Sequence, residues 1–139
     1  MIPSSKALRL GIFAVGMLLP ACEGESGSDY YFPTWSPGGE TSAGDLRGRL
    51  VAQDDCLFLD ADGADDYLPL WPSTFTISGG DSPVVSFAGG QELQVGDVAT
   101  LAGGERNRRS AEEAIGETIP DRCAAPRFWL TTGVIGKDS

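Results

Sequence analysis

The chain contains no histidine among its 139 residues, and this absence removes several classes of catalytic site. A Ser-His-Asp triad, a Cys-His pair and a zinc site with histidine ligands all need an imidazole. The three cysteines include no pair with the CxxC spacing of redox motifs. A pair of carboxylates remains a route to a hydrolase, but the chain is short for a second lobe that would form a substrate cleft. We therefore predict that the chain is not an enzyme and needs no cofactor.

Basic residues are also scarce, with 10 Lys and Arg against 20 Asp and Glu and a net charge of −10. Such a charge repels the phosphates of nucleic acids and of anionic lipids. We therefore predict no nucleic-acid partner. Cationic partners and metal ions remain electrostatically allowed, and an acidic surface can also serve solubility alone.

The apolar run Leu10–Leu19 is too short for a membrane-spanning helix. Ten helical residues extend about 15 Å, which is about half the thickness of the hydrocarbon core. The run follows Lys6 and Arg9, and it is followed by a small residue and a cysteine, Ala21 and Cys22. This order is typical of a secretory signal that is cut after residue 21.

The segment Leu19-Pro20-Ala21-Cys22 resembles the lipobox of a bacterial lipoprotein signal. The resemblance implies that residues 1–21 are a signal peptide and that Cys22 is lipidated. It also implies an exported protein that is anchored by its N-terminal lipid to a membrane of the cell envelope, with the leaflet unassigned. With Cys22 lipidated, Cys56 and Cys123 remain as a pair, and an oxidising compartment favours a disulfide between them.

Composition divides the rest of the chain into three parts. Residues 22–44 are rich in Gly, Ser and Pro and are predicted to be a flexible tether. Residues 45–135 are predicted to be the folded domain, and residues 136–139 a C-terminal tail. Within the tether, the aromatic segment 30–35 either docks on the domain or the membrane interface or has no fixed place, and the sequence leaves both open.

Short apolar segments separated by Gly-rich turns predict five or six strands within residues 45–135. Ser110 and Glu113 have the spacing of a capping box, and Gly116 can end the one short helix that this spacing predicts. We expect an all-β domain with a small closed or partly open barrel, in an arrangement that resembles the OB fold, and with one disulfide. A small β-sandwich is the alternative.

Two groups of residues are candidates for ligand contacts. The acidic segment that contains Asp60, Asp62, Asp65 and Asp66 offers the hard oxygen donors that Ca²⁺ prefers, although its spacing differs from an EF-hand. Its alternative is an acidic turn between strands. Trp71 and Trp129 lie on predicted strands, where they either stack on a sugar or peptide or belong to the core.

The functional hypothesis from the sequence is a lipid-anchored module of the cell envelope that binds an envelope protein or glycan. The alternatives are a structural or accessory lipoprotein without a small-molecule ligand, and a carboxylate-based hydrolase. The ligand, the partner and the oligomeric state are not predicted by the sequence.

Overall fold

A computed structural model of the chain describes residues 30–38, 44–61 and 65–138. The predicted signal peptide and Cys22 lie outside these residues. The described part is mostly β, with nine strands and one α-helix. In chain order they are β1 (Thr34–Trp35), β2 (Gly44–Gln53), β3 (Cys56–Ala61), β4 (Asp66–Pro72), β5 (Thr76–Ser78), β6 (Val84–Phe87), β7 (Gln91–Gln94), β8 (Val98–Arg106), α1 (Arg108–Ile115) and β9 (Arg127–Asp138).

Five strands pair in a hydrogen-bonded ring with the order β2-β3-β4-β9-β8 and back to β2. The β4–β9 pair is parallel and the other four pairs are antiparallel. The parallel pairing covers only residues 67–70 of β4 and 127–130 of β9, so the ring is not a true barrel. The prediction of a small, partly closed all-β sheet with one helix is confirmed, and the sandwich alternative is not observed.

Alternation along the ring strands separates two apolar clusters. Leu46 and Leu50 of β2, together with Leu57 and Leu59 of β3, point into the ring. The intervening β3 residue Phe58 points outward, where it joins the second cluster. The ring therefore has an apolar interior and one apolar outer face that another part of the chain must cover.

The helix and the segment after it cover that outer face. Ala111 of α1, Ile119 and Cys123 pack against Phe58 and the outward-facing residues of β4 and β9. The disulfide Cys56–Cys123 joins the start of β3 to this segment, as predicted. This cover is therefore bonded covalently to the sheet that it shields.

The segment from Tyr30 to Trp35 packs on the ring, although these residues fall within the predicted tether. The amide of Tyr31 donates a hydrogen bond to the carbonyl of Asp55 (2.9 Å), and β1 pairs with β4 in parallel. The buried indole of Trp35 donates to the carbonyl of Thr131 (2.8 Å). Of the two interpretations left open for the aromatic segment, the structure shows docking on the domain.

The three shorter strands β5, β6 and β7 form a separate antiparallel sheet. Its buried residues Val85 and Leu93, and Phe75 directly before β5, belong to the same apolar cluster as the ring interior. Phe75 contacts the rings of Trp71 and Phe87. The small sheet therefore covers part of the ring's interior. A groove lies between this sheet and β9.

Candidate functional site

A groove runs between the second half of β9 and the small sheet. It has two adjoining parts, of about 350 and about 550 Å³, within the size range of ligand pockets. Phe87, Gln91 and Val134 line both parts. The groove lies next to the place where β4 and β9 stop pairing, so it follows from the incomplete closure of the ring.

The second half of β9 gives the groove one wall that is a strand edge. β9 pairs with β4 only up to Leu130. From Gly133 to Asp138, β8 is the one strand that pairs with β9 among the described residues. Two irregularities in the β8–β9 pairing displace Thr132 and Ile135 from the register. Such β-bulges redirect side chains, and Ile135 is here 59% exposed.

Ile135 is the one large apolar side chain that is strongly exposed in the described part of the chain. It lines the groove beside Gly136 and Lys137, opposite Phe87 and Glu92. A partner that buries Ile135 would gain the free energy of removing this apolar surface from water. The groove thus joins an exposed apolar side chain to a strand edge.

Two charged residues line the same part of the groove. The ammonium of Lys137 lies 3.5 Å from a carboxylate oxygen of Asp97. That oxygen also accepts a hydrogen bond from the amide of Gln94 (2.9 Å), which fixes the turn between β7 and β8. Glu92 is exposed and makes no ion pair with another described residue. Glu92 therefore gives the groove an uncompensated negative charge.

Trp71 and Trp129, the two aromatic candidates from the sequence, are both buried. Trp71 is 0% exposed and lies against Phe32, and Trp129 is 6% exposed and contacts Tyr67 edge-on. Both belong to the interior cluster of the ring. Neither indole face is open to a sugar or peptide, so the structure places these residues in the core and not in the groove.

The described acidic candidates do not line the groove. Asp60 and Asp66 are direct partners across β3 and β4. Asp65 lies 3.5 Å from the guanidinium of Arg127, and Asp62 is outside the described residues. Within the described parts of the chain, no three side chains of metal-binding types converge. The structure therefore pairs two of the four candidate residues, Asp60 and Asp66, across neighbouring strands.

The environment of Asp66 favours its protonated form. Burial, the negative charge of Asp60 and a hydrogen bond with Asp60 raise the pKa of Asp66 above its ordinary value of 3.8, and the charge of Asp65 acts in the same direction. A carboxylate beside a second carboxylate behaves in this way because like charges at short distance repel. Asp66 also lines a shallow depression of about 190 Å³, next to Arg122.

We expect Asp66→Asn to stabilise the protein at pH 7 and to have little effect below pH 3.8. A raised pKa in the native state means that the native state binds the proton more tightly than the unfolded state. The stability that Asp66 contributes is thus present at low pH and is lost as the pH rises through its native pKa. Urea unfolding at pH 7 and pH 3 measures the difference, with Asp81→Asn in an exposed bend as control. An equal shift at both pH values would contradict this explanation.

The end of the domain that carries the disulfide is closed by polar contacts. The hydroxyl of Tyr31 donates to a carboxylate oxygen of Glu117 (2.9 Å), and burial together with this carboxylate raises the pKa of Tyr31. The guanidinium of Arg122 donates to the carbonyl of Asp54 (3.2 Å). The first contact joins the aromatic segment to the segment that follows α1, and the second joins the turn between β2 and β3 to it.

No protein-family model, no curated protein and no solved structure matches this chain. Among the described residues, α1 is the longest helix, and none has the length and apolar character that a membrane crossing requires. The features of this chain that point to a function are the sequence pattern of residues 1–22 and the groove.

Proposed function

We propose that this chain is a lipid-anchored protein of the cell envelope that binds another envelope protein in the groove between β9 and the small sheet. The anchor rests on the lipobox pattern that ends at Cys22. The binding role rests on one observation: the exposed Ile135 lies in a groove of ligand size beside a strand edge. A structural lipoprotein without a ligand would not require an exposed apolar side chain beside a groove and a strand edge.

The covered outer face also supports the groove as the binding surface. OB-like sheets bind ligands over their second and third strands, between the loop joining strands one and two and the loop joining strands four and five. The corresponding loops here are the turn at Asp54 and the segment 107–126, and the disulfide Cys56–Cys123 ties them together. Ala111 and Ile119 pack on the strands between them. Most of that face is therefore covered, and the opening left on it is the shallow depression beside Asp66 and Arg122.

A protein partner fits the groove better than a glycan does. Glycan sites commonly present an exposed aromatic face on which a sugar ring stacks. Trp35, Trp71 and Trp129 are all buried. The groove offers instead an aliphatic side chain, a half-buried phenyl ring at Phe87 and a carboxylate at Glu92, which are contacts typical of protein interfaces.

We expect a photoreactive residue at position 135 to cross-link the full chain to one protein in its own cells. The captured protein, once purified, should bind the wild type at least tenfold more tightly than Ile135→Asp, because a buried apolar anchor at an interface contributes about 2 kcal/mol or more. Ala114→Asp adds the same charge at an exposed position of α1 and should leave affinity unchanged.

The same experiment separates the alternatives. An adduct that resists proteases and is released by glycan-cleaving enzymes would show that the ligand is a glycan. Absence of any adduct at position 135, with normal export and folding, would contradict the binding role and favour the structural lipoprotein. Equal affinity of wild type and Ile135→Asp for the captured protein would show that the groove is not the binding surface.

A further inference from the structure

We propose that the groove holds an extended segment of the partner protein, which pairs with the edge of β9 as an added strand and places a basic side chain at Glu92. This inference rests on the proposed function, because it specifies how the partner is bound. Peptides commonly bind in this way at an exposed sheet edge, where backbone hydrogen bonds give affinity and alternate side chains give specificity.

The backbone of β9 provides the first argument. Every backbone amide and carbonyl of a strand needs a partner or water. β8 accounts for one edge of residues 133–138, and no described strand pairs with the other edge. The groove follows this second edge from Gly133 to Lys137. An extended peptide in the groove would therefore meet unpaired backbone groups.

Two glycines in β9 provide the second argument. Gly133 and Gly136 do not have a positive φ, and a Cβ atom at either position would meet nothing within 4 Å. The packing and backbone of the domain therefore do not require glycine at these positions, although glycine weakens a strand. Glycine within a strand often marks the close approach of another backbone. Both positions lie along the groove.

Charge defines the chemistry of the occupant. The chain has a net charge of −10, so it attracts cationic and repels anionic segments. Lys137 is neutralised by Asp97, whereas Glu92 has no ion-pair partner among the described residues. A lysine or arginine in the bound segment would complement Glu92, and an apolar residue at an alternating position would cover Ile135.

The probe for this proposal is a phage-displayed library of random linear dodecapeptides, selected on the purified protein. We expect the selected peptides to alternate apolar and other residues and to carry a lysine or arginine. Methylation of alternate backbone amides in such a peptide should weaken binding at least tenfold, whereas methylation of the intervening amides should change it less than threefold. Bound peptide should slow hydrogen exchange of the amides in residues 133–137.

Charge reversal gives the matched test on the protein. Glu92→Lys should weaken binding of the basic peptide at least fivefold, and replacing the basic residue of the peptide by glutamate should restore binding to this variant. Glu113→Lys makes the same change on the exposed face of α1 and should have no such effect.

Failure of this inference can be told apart from failure of the proposed function. If no peptide is selected, or if methylation shows no alternation, strand pairing with β9 is wrong. A protein that is captured at position 135, and that binds Ile135→Asp at least tenfold more weakly than the wild type, would then still support a protein partner held by side chains. If the cross-link is also absent, both the protein-binding role of the groove and the strand pairing with β9 are wrong.

Discussion

Replacing Gly103 by alanine should destabilise the protein by about 3 kcal/mol or more. Gly103 lies in β8 opposite Thr131, inside the ring. A Cβ atom there would overlap the carbonyl oxygen of Leu130 and approach the indole nitrogen of Trp129 to 2.7 Å. The first of these is backbone in a paired strand, so it cannot move without breaking the β8–β9 pairing. Overpacking of this kind is among the more costly single substitutions.

Gly133→Ala is the control for this prediction. Gly133 lies on the strand that faces Gly103 and pairs with Ala102, but a Cβ atom there would meet nothing within 4 Å. We expect a change within about 0.5 kcal/mol, the usual range for surface substitutions. Urea unfolding of both variants measures the contrast. Similar destabilisation by the two substitutions would contradict the close packing of β8 against β9 at Gly103.

Removing the disulfide with Cys56→Ala and Cys123→Ala should lower the free energy of unfolding by about 4 kcal/mol. The bridge spans a sequence separation of 67, and closing a loop of that length restricts the unfolded chain by roughly this amount. Both cysteines are fully buried, Cys56 at the start of β3 and Cys123 in the segment after α1. The loss should also free that segment from the outer face of the sheet, because the bridge is its covalent link to β3.

Single and double variants together test this explanation. Either single substitution already removes the bridge, so each should cost about as much as the double variant. Reduction of the wild type should reproduce the loss. A double variant within about 1 kcal/mol of the wild type would show that apolar packing alone holds the cover in place.

The cysteine pairing and the all-β character could be predicted because they depend on the number of cysteines and on local sequence patterns. Once Cys22 is assigned to the lipid, two cysteines leave one pairing, and the structure contains it. Short apolar segments between Gly-rich turns predicted strands within residues 45–135, and five of the strands there form the ring. The helix also ends as predicted, at Gly116 with a left-handed conformation.

The start of the helix was predicted wrongly for a local reason. The capping-box spacing indicated Ser110 as the N-cap, but Asn107 caps the helix, and its side chain accepts a hydrogen bond from the amide of Ser110 (2.8 Å). Asparagine is as good a cap as serine, so two caps competed within four residues. Ser110 therefore lies inside the first turn of the helix, and the capping box predicted for Ser110 and Glu113 is not the N-cap.

Contacts between distant segments could not be read from the sequence. Proline within a strand is typical of an edge or a bulge, yet β4, which contains Pro69, lies within the ring. The β3 pairing ends at Tyr67 and the β1 pairing begins at Trp71, so Pro69 lies between them. The groove has the same origin, because it depends on how far β9 pairs with β4 before the two strands diverge. The one signal of the groove in the sequence is Ile135, a large apolar residue near the end of the last strand.

The envelope location is tested by the intact mass of the protein purified from membranes, measured with and without reduction and alkylation. We expect a chain that begins at Cys22 with added acyl mass. Two thiols, those of Cys56 and Cys123, should become alkylatable only after reduction. An unlipidated chain that retains residues 1–21, or free thiols before reduction, would contradict the envelope location on which the proposed function depends.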